Sequence, residues 1–163
     1  MRKYLLILVL VLALPVNLYA KEAATTAAAI SAPKDFRFSF QSRAGTMDQA
    51  TEEKITVQGK LVTLDRSAKV VGESGDKKPF QKTYDVTPEQ LDALYQIVQQ
   101  SGVMTWPNSA EGGHQSEVQE SIEVSADGKT VKHGRWEAGN QEKFRVLYEQ
   151  FNTWYTDIRS VRF

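Results

Sequence analysis

Cysteine is absent from this chain of 163 residues. That excludes a disulfide framework and every thiolate metal site, so burial of apolar surface has to hold the fold together. Histidine is scarce, with His114 and His133 alone, and neither charge sign prevails: Lys+Arg 20 stand against Asp+Glu 20. A nucleic-acid binder would show a basic stripe, and a membrane-surface helix would show a basic face. No Gly-x-Ser-x-Gly elbow occurs, and no glycine pair precedes the Lys-Ser/Thr of a phosphate loop.

Long apolar runs are equally few. The one present, Leu5 to Leu14, follows Arg2 and Lys3 and ends at Pro15, before Val16-Asn17-Leu18-Tyr19-Ala20. A charged start, a short apolar run and a small residue at the exit are the three parts of a secretory signal peptide. The run falls short of the roughly 20 residues that a spanning helix needs. No cysteine follows it to carry a lipid. Residues 1–20 are therefore expected to be removed on export, to the periplasm or the medium. Removal takes Lys+Arg from 20 to 18 against Asp+Glu 20, so the exported chain carries a net charge of about −2. Residues 21–34, rich in Ala and Thr, read as a flexible leader, and residues 35–163 as a single domain.

Within that domain, Phe36, Phe38 and Phe40 alternate with polar residues and share one face of a strand. Arg43 to Thr46 reads as its exit. Lys54 to Asp65 is a second β run, whose apolar phase switches across Gly59 as a bulge requires. Phe80, Lys82, Tyr84 and Val86 mark a third, after a turn-rich stretch from Gly72 to Pro79. Thr87-Pro88-Glu89-Gln90 is a capping box with proline at the first helical position. The helix it opens presents Leu91, Leu94 and Val98 on one face and stops at Ser101-Gly102. A hairpin from Ser116 to Trp136 turns at Asp127-Gly128, the pair that a type I′ turn favours. Its two-residue turn sets Val124 opposite Val131, Ile122 opposite His133, Glu120 opposite Arg135 and Glu123 opposite Lys132. A last helix, Gln141 to Arg159, carries the seam Phe144, Leu147, Phe151, Trp154, Ile158. The order β-β-β-α-β-β-α implies an α+β domain, an antiparallel sheet with two amphipathic helices on one face.

The chemistry-bearing residues are sparse. Glu111 and Glu117 flank His114 in a loop with Gly112 and Gly113. One imidazole and two carboxylates make a partial zinc set, but adjacent glycines leave it unfixed, so a solvated loop is the better reading and no metal or other cofactor is expected. His133 reads as a histidine at the core's edge, beside a cross-strand ion pair of Glu120 and Arg135. Glu52-Glu53 reads as a solvated turn. Trp154 reads as core, and Trp106-Pro107 as a plug at one end of the sheet. Trp136 falls on the outer face of the hairpin, where an exposed indole among polar neighbours is a binding feature.

The run Phe40-Gln41-Ser42-Arg43-Ala44-Gly45, a capped helix after Asp85-Val86-Thr87-Pro88-Glu89-Gln90-Leu91, and a following hairpin resemble the emfourin family. These are small bacterial inhibitors of thermolysin-like metalloproteases. The motif-like piece is Arg43-x-Gly45; the family has a second glycine where this chain has Thr46. The resemblance implies a noncatalytic inhibitor and assigns no residue a role.

The residues together point to an exported, noncatalytic protein-binding module of the bacterial envelope, an inhibitor or an accessory factor, rather than an enzyme. Its partner is expected to be another envelope or secreted protein. Arg43, Gly45, Glu111, His114 and Trp136 are the candidate contact residues. Two alternatives stand beside it. One is a small exported hydrolase using His114 or His133 with a carboxylate. The other is a structural envelope protein that assembles through an open sheet edge.

Overall fold

The computed structural model describes residues 30–45, 49–70, 77–107 and 118–160. Residues 1–20, expected to be a signal peptide, most of the expected leader at 21–34, and Glu111 and His114 lie outside these described residues. Six strands, β1 (Arg37–Gly45), β2 (Gln49–Gln58), β3 (Leu61–Val70), β4 (Lys77–Asp85), β5 (Gln119–Ala126) and β6 (Lys129–Gly134), form one antiparallel sheet in the order β4-β3-β2-β1-β5-β6. Helix α1 (Pro88–Ser101) separates β4 from β5, and helix α2 (Gln141–Ser160) closes the described chain. The α+β class and the order of strand runs and helices are those expected. Among the described residues no helix is long and apolar enough to cross a membrane.

One run differs in its interior. Gly59 is not a bulge: it adopts φ +56° in a two-residue turn with Lys60, and Gln58 pairs with Leu61 on the far side. The switch of apolar phase from Val57 to Val62 follows, because reversing the chain through two residues returns positions 57 and 62 to opposite each other. A bulge and a tight turn produce the same shift of phase in sequence. The paired strands then run longer than the apolar segment, to Gln49 and Val70. Glu52 and Glu53 are likewise in strand β2 and not in a turn, so alternation sends them to opposite faces.

Because β1 is central, its alternation sets the sheet's two faces. Phe38 lies in register with Val57 and Val124, and Phe40 with Ile55 and Ile122; all six are buried. The two helices lie over this face. Phe36 meets Tyr95 of α1 at 5.0 Å between ring centroids, and Phe38 meets Phe151 of α2 at 4.5 Å. The whole expected α2 seam is buried, joined by Tyr155. Trp154 also donates its indole N–H to the carbonyl of Gln90 at 2.8 Å, which fixes α2 against the start of α1.

The local devices fall where the residue types require them. Gln90 N–H donates to Thr87 Oγ1, and Thr87 N–H donates to Gln90 Oε1, completing the capping box. Gly102 ends α1 in the left-handed conformation at φ +65°. Asp127 and Gly128 both take positive φ at the β5–β6 turn, as a type I′ turn demands. The carboxylate of Asp35 accepts from both turn amides, at 3.2 Å from Asp127 and 2.7 Å from Gly128. At the described start of the chain, Ser31 Oγ and the Ala32 amide donate to Asp92 on α1.

Candidate functional site

Strands β1, β2, β3 and β5 are longer than the helix layer is deep. Beyond Phe40 the sheet continues to Gly45, and this overhang bears two hollows, one on each face.

The outer hollow, about 320 Å³, is lined by Gln41, Arg43, Gln119, Ser121, Lys132, Arg135 and Trp136, with Glu120 at its rim and Gly134 at its floor. Arg43 sits on central β1 opposite Gln119 of β5. Trp136 follows β6, half-buried on the outer side, and its indole N–H donates to the Val118 carbonyl at 3.0 Å. The Arg135 guanidinium lies 5.0 Å from the Trp136 ring, a cation–π arrangement. Arg135 also donates to Glu120 at 2.8 Å, the cross-strand pair expected from the hairpin register. Arg43 and Lys132 engage in no ion pair or side-chain hydrogen bond among the described residues. The hollow therefore presents two uncommitted cations beside an aromatic face.

Arg43 and Trp136, far apart in sequence, thus share one surface. Gly45 lies two residues beyond Arg43, paired with Ala50 at the strand's exposed end and outside the hollow's lining. Among the described residues no group of three or more His, Cys, Asp or Glu side chains could hold a metal ion.

Next to this surface, where β6 turns toward α2, three polar side chains are buried together. His133 Nδ1 lies 2.9 Å from Glu137 Oε2. Glu137 Oε1 accepts from the Gly134 amide, and Oε2 also accepts from Asn140 Nδ2 at 3.0 Å. The same Asn140 nitrogen donates to the Pro107 carbonyl. A carboxylate that accepts three bonds leaves His133 the donor, so Nδ1 carries the proton of that contact. Burial pushes the Glu137 carboxyl up, yet the bonds from His133, Gly134 and Asn140 outweigh it and hold the group below the usual range. His133 has no exposed surface and its ring packs on Trp106, 5.3 Å between centroids. A general base has to reach a substrate proton, and this imidazole reaches only the interior.

Glu137 and Asn140 lie in a turn between β6 and α2, with no periodicity in the sequence to mark them. The signal available was the spacing His133-x-x-x-Glu137-x-x-Asn140 immediately before a helix. No protein-family model matches the chain, and comparison with curated proteins finds no match.

Proposed function

We propose that this chain is an exported, noncatalytic protein-binding module of the bacterial envelope, an inhibitor or an accessory factor, and that it meets its partner at the hollow shared by Arg43 and Trp136. The observation that carries the reading is the pairing of Arg43 and Lys132, both without an ionic partner among the described residues, with a half-buried indole in one concavity. Cations free to engage carboxylates, beside an aromatic anchor, are the elements from which interface hot spots are made. The partner segment is accordingly acidic. Export to the periplasm or the medium rests on the charged start, short apolar run and small-residue exit of residues 1–20. The burial of His133 weighs against a hydrolase built on that residue.

The test is capture. The tagged chain from Lys21 onward is incubated with native envelope extract, beside its Arg43→Ala and Trp136→Ala variants. One protein is expected to be enriched by the parent chain and lost with each variant, while circular dichroism shows both variants folded. Truncating an anchoring tryptophan costs about 2 kcal/mol or more, roughly a thirtyfold loss of affinity. Capture of nothing specific, or of a protein indifferent to both substitutions, would sink the reading.

A further inference from the structure

The second hollow lies on the helix side of the same overhang and has about 490 Å³ of free volume, within the range of small-molecule pockets. It owes its depth to a change of residue size along the sheet. Under α2 the inward residues are large: Phe40, Ile55, Leu64. Two and four residues further along β1 they are Ser42 and Ala44, with Thr51 and Ala68 beside Ala44. Tyr148 of α2 and Phe40 wall one side, their centroids 4.8 Å apart, and Phe80 stands at the other, half exposed.

The charges in this hollow have an order. Ser42 lies in register with Glu53 of β2 on one side and Glu120 of β5 on the other. Adjacent strands are about 4.8 Å apart, so the two carboxylates rise from backbones about 10 Å apart, on either side of the serine. Each is half used. Glu53 Oε2 accepts from Arg66, and Glu120 Oε2 accepts from Arg135; both arginines lie on the outer flanks. The Oε1 atom of each carboxylate, Ser42 Oγ and the Tyr148 hydroxyl have no hydrogen bond among the described residues. On the helix side two carboxylates, Glu53 and Glu120, and one guanidinium, Arg66, line the hollow. Burial pushes the Tyr148 phenol up, and Glu120 and Glu53 add to it, which places the phenol within the field of both carboxylates.

We infer that this hollow binds a small primary amine carried on an apolar body. An ammonium has three N–H donors, and the unused oxygens of Glu53, Ser42 and Glu120, in one row across three adjacent strands, supply three acceptors. Tyr148 and Phe40 line the same hollow, where aromatic rings add cation–π attraction. The apolar body then lies over Ala44, Thr51 and Ala68 toward Phe80. An anion is disfavoured by the excess of carboxylates. A neutral ligand would leave the charged row unused.

The site lies on the opposite face of the sheet from the outer hollow and shares Glu120 with it, so Arg43→Ala, which touches the outer hollow alone, keeps the two apart. Hexylamine is titrated into the chain from Lys21 onward by calorimetry at roughly millimolar concentration, where so small a ligand is detectable. Hexan-1-ol and hexanoate are titrated in parallel. One hexylamine is expected per chain, with the alcohol and the acid at least about tenfold weaker. Glu53→Gln and Glu120→Gln should each weaken the amine about tenfold, the loss of one charge-assisted bond. Both leave a partly exposed arginine that water can solvate, so thermal unfolding should confirm that they fold. Phe80→Ala should weaken binding severalfold, and Arg43→Ala should leave it unchanged. No saturable binding of hexylamine overturns the inference. So does equal binding of hexan-1-ol, or binding insensitive to both glutamine substitutions.

Discussion

The Nδ1 atom of His133 lies 2.9 Å from Oε2 of Glu137, and both side chains are buried where β6 turns toward α2. This contact joins the last strand to the residue that precedes α2, because Asn140 bonds the same carboxylate and its backbone carbonyl accepts from Phe144. Replacing Glu137 with alanine leaves His133 Nδ1 and the Gly134 amide without their acceptor, and Asn140 with the Pro107 carbonyl alone. Unsatisfied buried donors cost about 1–3 kcal/mol each, with partial relief from rearrangement, so a loss of about 3 kcal/mol is expected in urea denaturation. A loss below about 1 kcal/mol would mean that water reaches this corner.

The same carboxylate makes stability depend on pH. Glu137 titrates below its ordinary value in the folded chain. Its contribution is therefore fully present above the unfolded value of about 4.3 and is lost as pH falls through the lower, folded value. Denaturation midpoints of the parent chain and Glu137→Gln should differ most near neutral pH and converge below about pH 4. A gap that stays constant to pH 3 would show that the network does not depend on the ionised form.

What could be read beforehand follows from how each element is encoded. The capping box, the Asp127-Gly128 turn and the α2 seam are local patterns whose physics lies within a few residues, and they appear where expected. Gly59 was ambiguous because a turn and a bulge shift apolar phase alike, and only strand pairing separates them. At the candidate surface, Arg43 and Trp136 could be picked out singly, but their meeting depends on β5 lying beside β1, a long-range pairing with no local signature. The helix-side hollow was hidden for a related reason. Ser42, Ala44, Thr51 and Ala68 look ordinary singly, and become a floor only when three strands align them.

The reach of the helix layer predicts opposite outcomes for two phenylalanines. Phe151 is buried and its ring meets Phe38, Phe40, Trp154 and Tyr155. Removing it opens a cavity at the centre of the core, and Phe151→Ala should cost about 3–5 kcal/mol. Phe80, on an edge strand beyond the helices, is 50% exposed. Phe80→Ala should change stability by less than about 0.5 kcal/mol, as substitutions outside the packed interior do. Chemical denaturation of both variants measures the contrast, and a large loss for Phe80→Ala would mean that this edge is covered in solution.

Gly59 offers a test of the turn that joins β2 to β3. Its φ is +56°, and a side chain added there would meet nothing within 4 Å. Any penalty for substitution is then backbone strain alone, with no contribution from crowding. Gly59→Ala should destabilise the chain by about 1 kcal/mol, the cost of holding an L-residue in the left-handed region. Gly59→Asn should recover part of that loss, because asparagine enters this region more readily through local hydrogen bonding. A bulge inside one continuous strand would not have set Val57 opposite Val62. Equal stability of the alanine, asparagine and parent chains in urea would show that the turn is not held in the left-handed form.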